Sequence, residues 1–204
     1  MIIAIDGPSA SGKSTTAKGV SNKLGFTHLD TGSMYRAVTL GFSHENIMLN
    51  DHSKITNYLK DLDIKFNHNG HILLNDVDVS NAIRTVEISS KVSMISAIPE
   101  IRRKMVDIQR AIAGKSDCVL EGRDIGTVVF PNADYKFFLI ADINIRAQRR
   151  LIELKQTNES ITIEEIISSI KTRDELDSKR SHSPLKQAID AIEIDTSLLT
   201  INQQ

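Results

Sequence analysis

Gly7-Pro8-Ser9-Ala10-Ser11-Gly12-Lys13-Ser14 satisfies the spacing G-x-x-x-x-G-K-[ST]. Glycines at those places let the backbone curl until successive N–H groups face inward. The helix that follows adds unpaired donors and the positive end of its dipole. The Lys13 ammonium then reaches the terminal phosphates of a nucleoside triphosphate, and the Ser14 hydroxyl is placed to ligate Mg²⁺. The whole cradle runs Gly7, Pro8, Ser9, Ala10, Ser11, Gly12, Lys13, Ser14, Thr15. The bland alternative is a Gly/Ser-rich turn with a surface lysine. The context speaks against it, because an apolar run precedes the motif and a helical pattern follows.

A second set of residues is suited to anions. Nine of the eleven arginines fall between Arg102 and Arg180. Guanidinium groups grip phosphates in planar, bidentate fashion. The chain has no Trp, three Tyr and six Phe, so a stacking platform for single-stranded nucleic acid is poorly supplied. Lys+Arg 25 against Asp+Glu 26 gives a net charge of -1, which exerts no long-range pull on nucleic acid or an anionic membrane. The arginines therefore point to a small, highly charged ligand. Arg173, Asp177 and Arg180 stand at i, i+4 and i+7, one helix face carrying cation, anion and cation. The alternative for that face is a surface salt-bridge ladder.

These groups need a scaffold. At 204 residues, 40% hydrophobic and 25% charged, the chain suits one globular domain with an inserted lobe. The spacing predicts strands over Met1 to Asp6, Phe26 to Asp30, Cys118 to Glu121, Lys136 to Ala141 and Ile192 to Ile194. Helices alternate with them over Lys13 to Leu24, Met34 to Phe42, Asp142 to Lys155 and from Thr162, with Glu165 completing a capping box, to Lys179. That grammar gives an α/β fold: a parallel sheet flanked by helices. Between the halves, Asn69-Gly70 and Asn75-Asp76 separate short apolar runs at Ile64 to Phe66, Ile72 to Leu74 and Val77 to Val79, the mark of a small antiparallel insert. Helices flank it over Ser53 to Leu62 and Val86 to Ile95. A further helix opens at Pro99, with Ile101, Met105, Ile108 and Ile112 as its apolar stripe. The last strand is followed by few residues, and a sheet of this kind ordinarily has another helix over its face, which raises the expectation of a shortened polypeptide.

Other classes fall away. One cysteine, Cys118, permits no internal disulfide and suits a reducing, cytoplasmic setting. No apolar run approaches the ~20 residues that cross a bilayer, and Asp6 interrupts any leader. A guanine-reading Asn-Lys-x-Asp is missing: Asn22-Lys23-Leu24-Gly25 lacks the Asp. His68 and His71 alone make a poor zinc site. Size, insert and late arginines favour a small-molecule kinase over a GTPase or motor.

Three strings make the comparison specific: Ile5 to Thr15, then Leu29-Asp30-Thr31-Gly32-Ser33-Met34-Tyr35-Arg36, then Glu121-Gly122-Arg123-Asp124-Ile125-Gly126-Thr127-Val128-Val129-Phe130-Pro131. Together with Arg173 to Arg180 and Ser183-Pro184-Leu185 they resemble the bacterial cytidylate kinases. The resemblance runs in order from the first strand to Thr196.

It implies a P-loop kinase: a single domain over residues 1–204, a nucleoside-monophosphate-binding insert near 53–95 and a helical lid near 146–165. ATP would be the phosphoryl donor with Mg²⁺, and CMP or dCMP the acceptor. A monomer is expected. The resemblance gives Arg123 to the acceptor phosphate and Asp124 to the cytosine edge, whose exocyclic amine is a donor. Thr31, Tyr35 and Arg36 would line the acceptor pocket, and Ser93 and Arg102 would touch the base. Residue by residue, Asp177 goes to the ribose hydroxyls, Arg173 to the sugar and phosphate region, and Arg180 to the phosphate. Arg149 and Arg150, one turn after Arg146, would close over the transferring group with Lys13. Ser93 and Arg102 would otherwise read as surface positions on polar helix faces. Glu121 stands where relatives often carry Asp, and it is left outside the site. A kinase for another acceptor, such as UMP, and a nucleotide-dependent switch are the alternatives.

Overall fold

The fold is described from a computed structural model over residues 1–67, 70–155 and 161–204. His68, and residues 156–160 of the expected lid, lie outside the described residues. The chain forms two compact units, one of residues 1–29 and 116–204, the other of residues 30–115.

The first unit holds the parallel sheet. Its strands are β1 (Ile2–Asp6), β2 (Thr27–Asp30), β6 (Cys118–Gly122), β7 (Tyr135–Ile140) and β8 (Ile192–Asp195), in the order β2-β6-β1-β7-β8. β1 pairs in parallel with β6, from Ile2 opposite Cys118 to Asp6 opposite Gly122, and with β7 on its other side. β7 pairs in parallel with β8. Every residue of β6 is buried, as expected of an inner strand covered on both faces. Ile3, Ile5, Val119 and Leu139 pack with Ala17 of helix α1 (Lys13–Leu24) to form a core. Helices α6 (Ile143–Lys155) and α7 (Ile163–Lys179) share a second core of Ala147, Leu154, Ile166 and Ile170. The capping box at the start of α7 is formed: the Glu165 N–H donates to Thr162 Oγ1 at 3.2 Å, and the Thr162 N–H donates to Glu165 Oε2 at 2.8 Å.

The second unit contains helices α2 (Thr31–His44), α3 (His52–Lys60), α4 (Val86–Ser96) and α5 (Pro99–Ala113) with the antiparallel sheet β3 (Ile64–Phe66), β4 (Ile72–Leu74), β5 (Val77–Asp78). Asn75 and Asp76 both take positive φ, 48° and 65°, the geometry that a two-residue hairpin turn requires. Helix α2 starts three residues before the sequence expectation, because the Asp30 carboxylate caps it by accepting the Ser33 N–H at 3.0 Å.

The buried face of α5 also differs from the predicted stripe. Ile101, Arg102, Met105, Gln109 and Ala113 are buried, while Ile108 and Ile112 are only half-buried. The helix is rotated so that the Arg102 guanidinium lies over the Tyr35 ring, 5.3 Å from its centroid.

Candidate active site

The loop after β1 takes positive φ at Gly7, Ala10 and Gly12, and at Gly7 only glycine fits. Gly7 has φ 147°, and a Cβ there would lie 2.1 Å from the Leu139 carbonyl oxygen. Gly12 caps α1 with φ 92°. Lys13 opens that helix buried, and its ammonium donates to the Pro8 carbonyl and, at 3.3 Å, to Ser11 Oγ. Burial, reinforced by the Arg123 and Arg173 guanidinium groups, pushes its pKa well below the usual lysine range, with Glu121 and Asp6 opposing. A cation held in such surroundings is matched to a polyanion. The Ser9 N–H donates to Asp174 Oδ1 at 3.0 Å, and Asp174 also pairs with Arg146.

Ser14 brings in a residue that the sequence reading left out. Its hydroxyl donates to Glu121 Oε2 at 2.6 Å, and Glu121 Oε1 meets His28 Nε2 at 3.0 Å. Glu121 is buried at the end of β6. A hydroxyl beside a buried carboxylate is a pair of hard oxygen donors and fits a divalent cation such as Mg²⁺. Among the described residues no group of three or more His, Cys, Asp or Glu side chains could hold a metal by itself. His71 is engaged with Asp78 at 2.8 Å.

Beyond β6 the backbone makes a π turn over Ile125–Val129, closed by the Phe130 N–H donating to the Ile125 carbonyl at 2.7 Å. Such turns are rare and frequent at functional sites. Arg123 Nε donates to Asp177 Oδ2 at 2.9 Å. Arg180 lies 3.7 Å from Asp124 and 3.9 Å from Asp177. Burial raises the Asp177 pKa, but Arg123, Arg173 and Arg180 outweigh it and hold the carboxyl below its ordinary value. Arg173 and Asp177 lie on α7, but Arg180 is its C-cap with extended backbone, so the expected cation-anion-cation helix face is not formed, and with Asp177 3% exposed the three are no surface ladder. Four predicted residues, Arg123, Asp124, Asp177 and Arg180, meet in one cluster, with Arg173 acting on it electrostatically.

Arg149 is held against Thr196, donating to its hydroxyl at 3.0 Å and its carbonyl at 2.6 Å. Arg150 pairs with Glu153 on its own helix at 2.9 Å.

In the second unit Thr31, Tyr35, Ser93 and Arg102 are all buried, and Arg36 donates to Ser89 Oγ at 3.0 Å. The expectation that Ser93 and Arg102 sit on polar helix faces is corrected: both are turned inward, Arg102 donating to the Ser96 carbonyl at 3.1 Å. The Ser93 hydroxyl is buried with no hydrogen-bond partner among the described residues, a state that a polar ligand relieves. The residues that sequence reasoning missed are Glu121, His28, Asp6 and Asp174. Of these only Glu121 carried a signal, its place before Gly-Arg-Asp.

The family model described as "Cytidylate kinase" matches residues 3–204. The chain belongs to the cytidylate kinase family. Among curated relatives, the cytidylate kinase of Cytophaga hutchinsonii is 44% identical, covering 100% of this chain and 89% of its own. That of Fusobacterium nucleatum is 46% identical over 98% of this chain and 92% of its own. That of Carboxydothermus hydrogenoformans is 46% identical over 100% and 93%. The match to the cytidylate kinase family takes in the Ser14–Glu121 pair as well as the cluster of Arg123, Asp124, Asp177 and Arg180.

Proposed function

We propose that this chain transfers the γ-phosphoryl group of ATP to CMP or dCMP, giving ADP and CDP or dCDP. The observation that carries the reading is the buried convergence of Arg123, Asp124, Asp177 and Arg180 in the unit that holds the phosphate cradle. Phosphoryl transfer needs little covalent chemistry from the protein. It needs positioning and charge. The backbone N–H groups of residues 7–15, Pro8 excepted, hold the triphosphate, and Lys13 neutralises charge at its end. The acceptor's phosphate oxygen attacks in line, and as an anion it needs no general base. Arg123 and Arg180 bind that phosphate, with Arg173 beside it and Asp177 on the sugar. Asp124 accepts from the cytosine amine, and Thr31, Tyr35, Arg36, Ser93 and Arg102 serve the acceptor in residues 30–115. Arg149 and Arg150 act on the donor side.

Ser14, with Glu121 behind it, would hold Mg²⁺, which when bound neutralises phosphate charge. The residues near 53–95 serve as the acceptor insert and those near 146–165 as a lid that excludes water. A cytoplasmic monomer within pyrimidine nucleotide metabolism accords with the reading. Among the described residues no helix is long and apolar enough to cross a membrane.

Product analysis with CMP, dCMP, UMP and AMP at equal concentration tests the assignment. CDP and dCDP should dominate. A product distribution led by UDP would refute it.

A further inference from the structure

Asp6 closes β1 with both carboxylate oxygens committed. Oδ1 accepts the Ile125 N–H at 2.9 Å and Oδ2 accepts the Gly126 N–H at 2.8 Å. These are the first two amides of the π turn. Asp6 also lies opposite Gly122 in the β1–β6 register. The link Arg123-Asp124 is thus fixed at both ends by one residue: by strand pairing before it and by the carboxylate after it. Asp6 as a whole is 5% exposed.

The geometry points to Asp6 as a positioning residue for the acceptor, whose carboxylate sets the link that carries Arg123 and Asp124. This rests on the acceptor roles given to those two residues above. A carboxylate so deeply buried has an electrostatic cost that a neutral cap would avoid. Burial is the main cause that raises its pKa, to about 6, and Asp124 adds to it, while the two amides and Lys13 oppose. The Lys136 stem lies against the same turn, its Cδ 3.1 Å from where a Gly126 Cβ would stand.

At pH 7 the carboxylate is mostly ionised and accepts both amides. Protonation turns one oxygen into a donor, and one amide loses its acceptor. A pKa raised in the folded state means that protonation favours the fold. This group's contribution to stability therefore grows as pH falls through about 6, while the grip on the acceptor loosens. The two effects have opposite signs.

The test measures KM for CMP and for ATP between pH 5 and 8 in wild type, Asp6→Asn and Asp124→Ala, with a melting temperature at each pH. Comparing variants at one pH cancels the titration of the substrate phosphates. Asp6→Asn should raise KM for CMP about tenfold at pH 7.5, with KM for ATP changed less than about threefold. The gap from wild type should narrow towards pH 5. An equal rise in both KM values, no rise, or a gap independent of pH would overturn the inference. If Asp124→Ala weakens CMP binding and Asp6→Asn does not, the inference fails and the acceptor assignment stands. If neither does, the assignment itself fails. Should Asp6→Asn not fold, wild-type NMR decides: the Ile125 and Gly126 amide shifts should titrate together near pH 6, and flat shifts would overturn the proposal.

Discussion

The Ser14 hydroxyl donates a 2.6 Å hydrogen bond to the Glu121 carboxylate, joining the first turn of α1 to the end of β6. His28, from β2, holds the other oxygen of the same carboxylate at 3.0 Å. Outer partners that orient a ligand commonly change metal affinity 10–100-fold. Glu121→Ala should therefore raise the Mg²⁺ concentration for half-maximal activity by roughly that factor. His28→Ala should give a smaller rise in the same direction. Mg²⁺ titrations at saturating ATP and CMP check both, and an unchanged requirement in Glu121→Ala would disprove the link.

Lys13 is a buried cation whose pKa is pushed well down, first by burial and then by Arg123. A lowered lysine pKa means that the charged form is disfavoured by the fold. Lys13→Met removes that charge at similar volume. It should cut turnover by about two orders of magnitude or more with no fall in melting temperature. A coupled ADP assay and thermal unfolding measure the two effects, and unchanged turnover would remove Lys13 from the reaction.

Asp124 is buried beside Arg180. If it accepts from the cytosine amine, Asp124→Ala should lose roughly 1–3 kcal/mol of discrimination between CMP and UMP, about 10–100-fold in the ratio of kcat/KM. Competition assays with both nucleotides measure this, and a preserved preference would exclude the contact.

Asp177 carries a pH signature. Its folded pKa is depressed, since Arg123, Arg173 and Arg180 overcome the burial that works against them. A depressed carboxyl pKa stabilises the fold above the unfolded value and stops doing so as pH falls through the folded one. Asp177→Asn leaves buried guanidinium groups short of a counter-charge, which costs about 3–5 kcal/mol. Urea unfolding should show that deficit in full at pH 7, and the deficit should shrink as pH is lowered below the ordinary carboxyl range and Asp177 takes up its proton. A deficit that stays constant down the whole acid series would count against the charge argument.

Gly41 packs against Tyr58. A Cβ on Gly41 would meet the Tyr58 hydroxyl at 1.8 Å, and that ring is braced edge-on by Phe42 at 5.2 Å. Gly41→Ala should cost about 1–3 kcal/mol by overpacking. The Tyr58 hydroxyl is buried with no hydrogen-bond partner among the described residues. Tyr58→Phe should thus be near neutral alone and recover part of the loss in the double variant. Denaturant midpoints for the three proteins close the cycle.

The glycine turn into α1, the alternation of strands and helices and the hairpin insert were legible in the sequence, because each is written in neighbouring residues. A glycine spacing, an apolar period or an Asn-Asp turn acts within a few positions of itself. The spacing of Arg173, Asp177 and Arg180 was legible, but not the burial of Asp177 nor the turn of the backbone out of α7 at Arg180, since periodicity does not say what packs against a helix or where it stops. The rotation of α5 that buries Arg102 beside Tyr35 was hidden for the same reason. Ser14 with Glu121 is separated by 107 positions and Asp6 with Gly126 by 120. Sequence alone fixed which chemical groups were available and the local backbone that presents them. The tertiary structure decided which carboxylate answers which cation and amide, because parallel strands brought together by crossovers place side by side residues whose distance along the chain carries no trace of their contact.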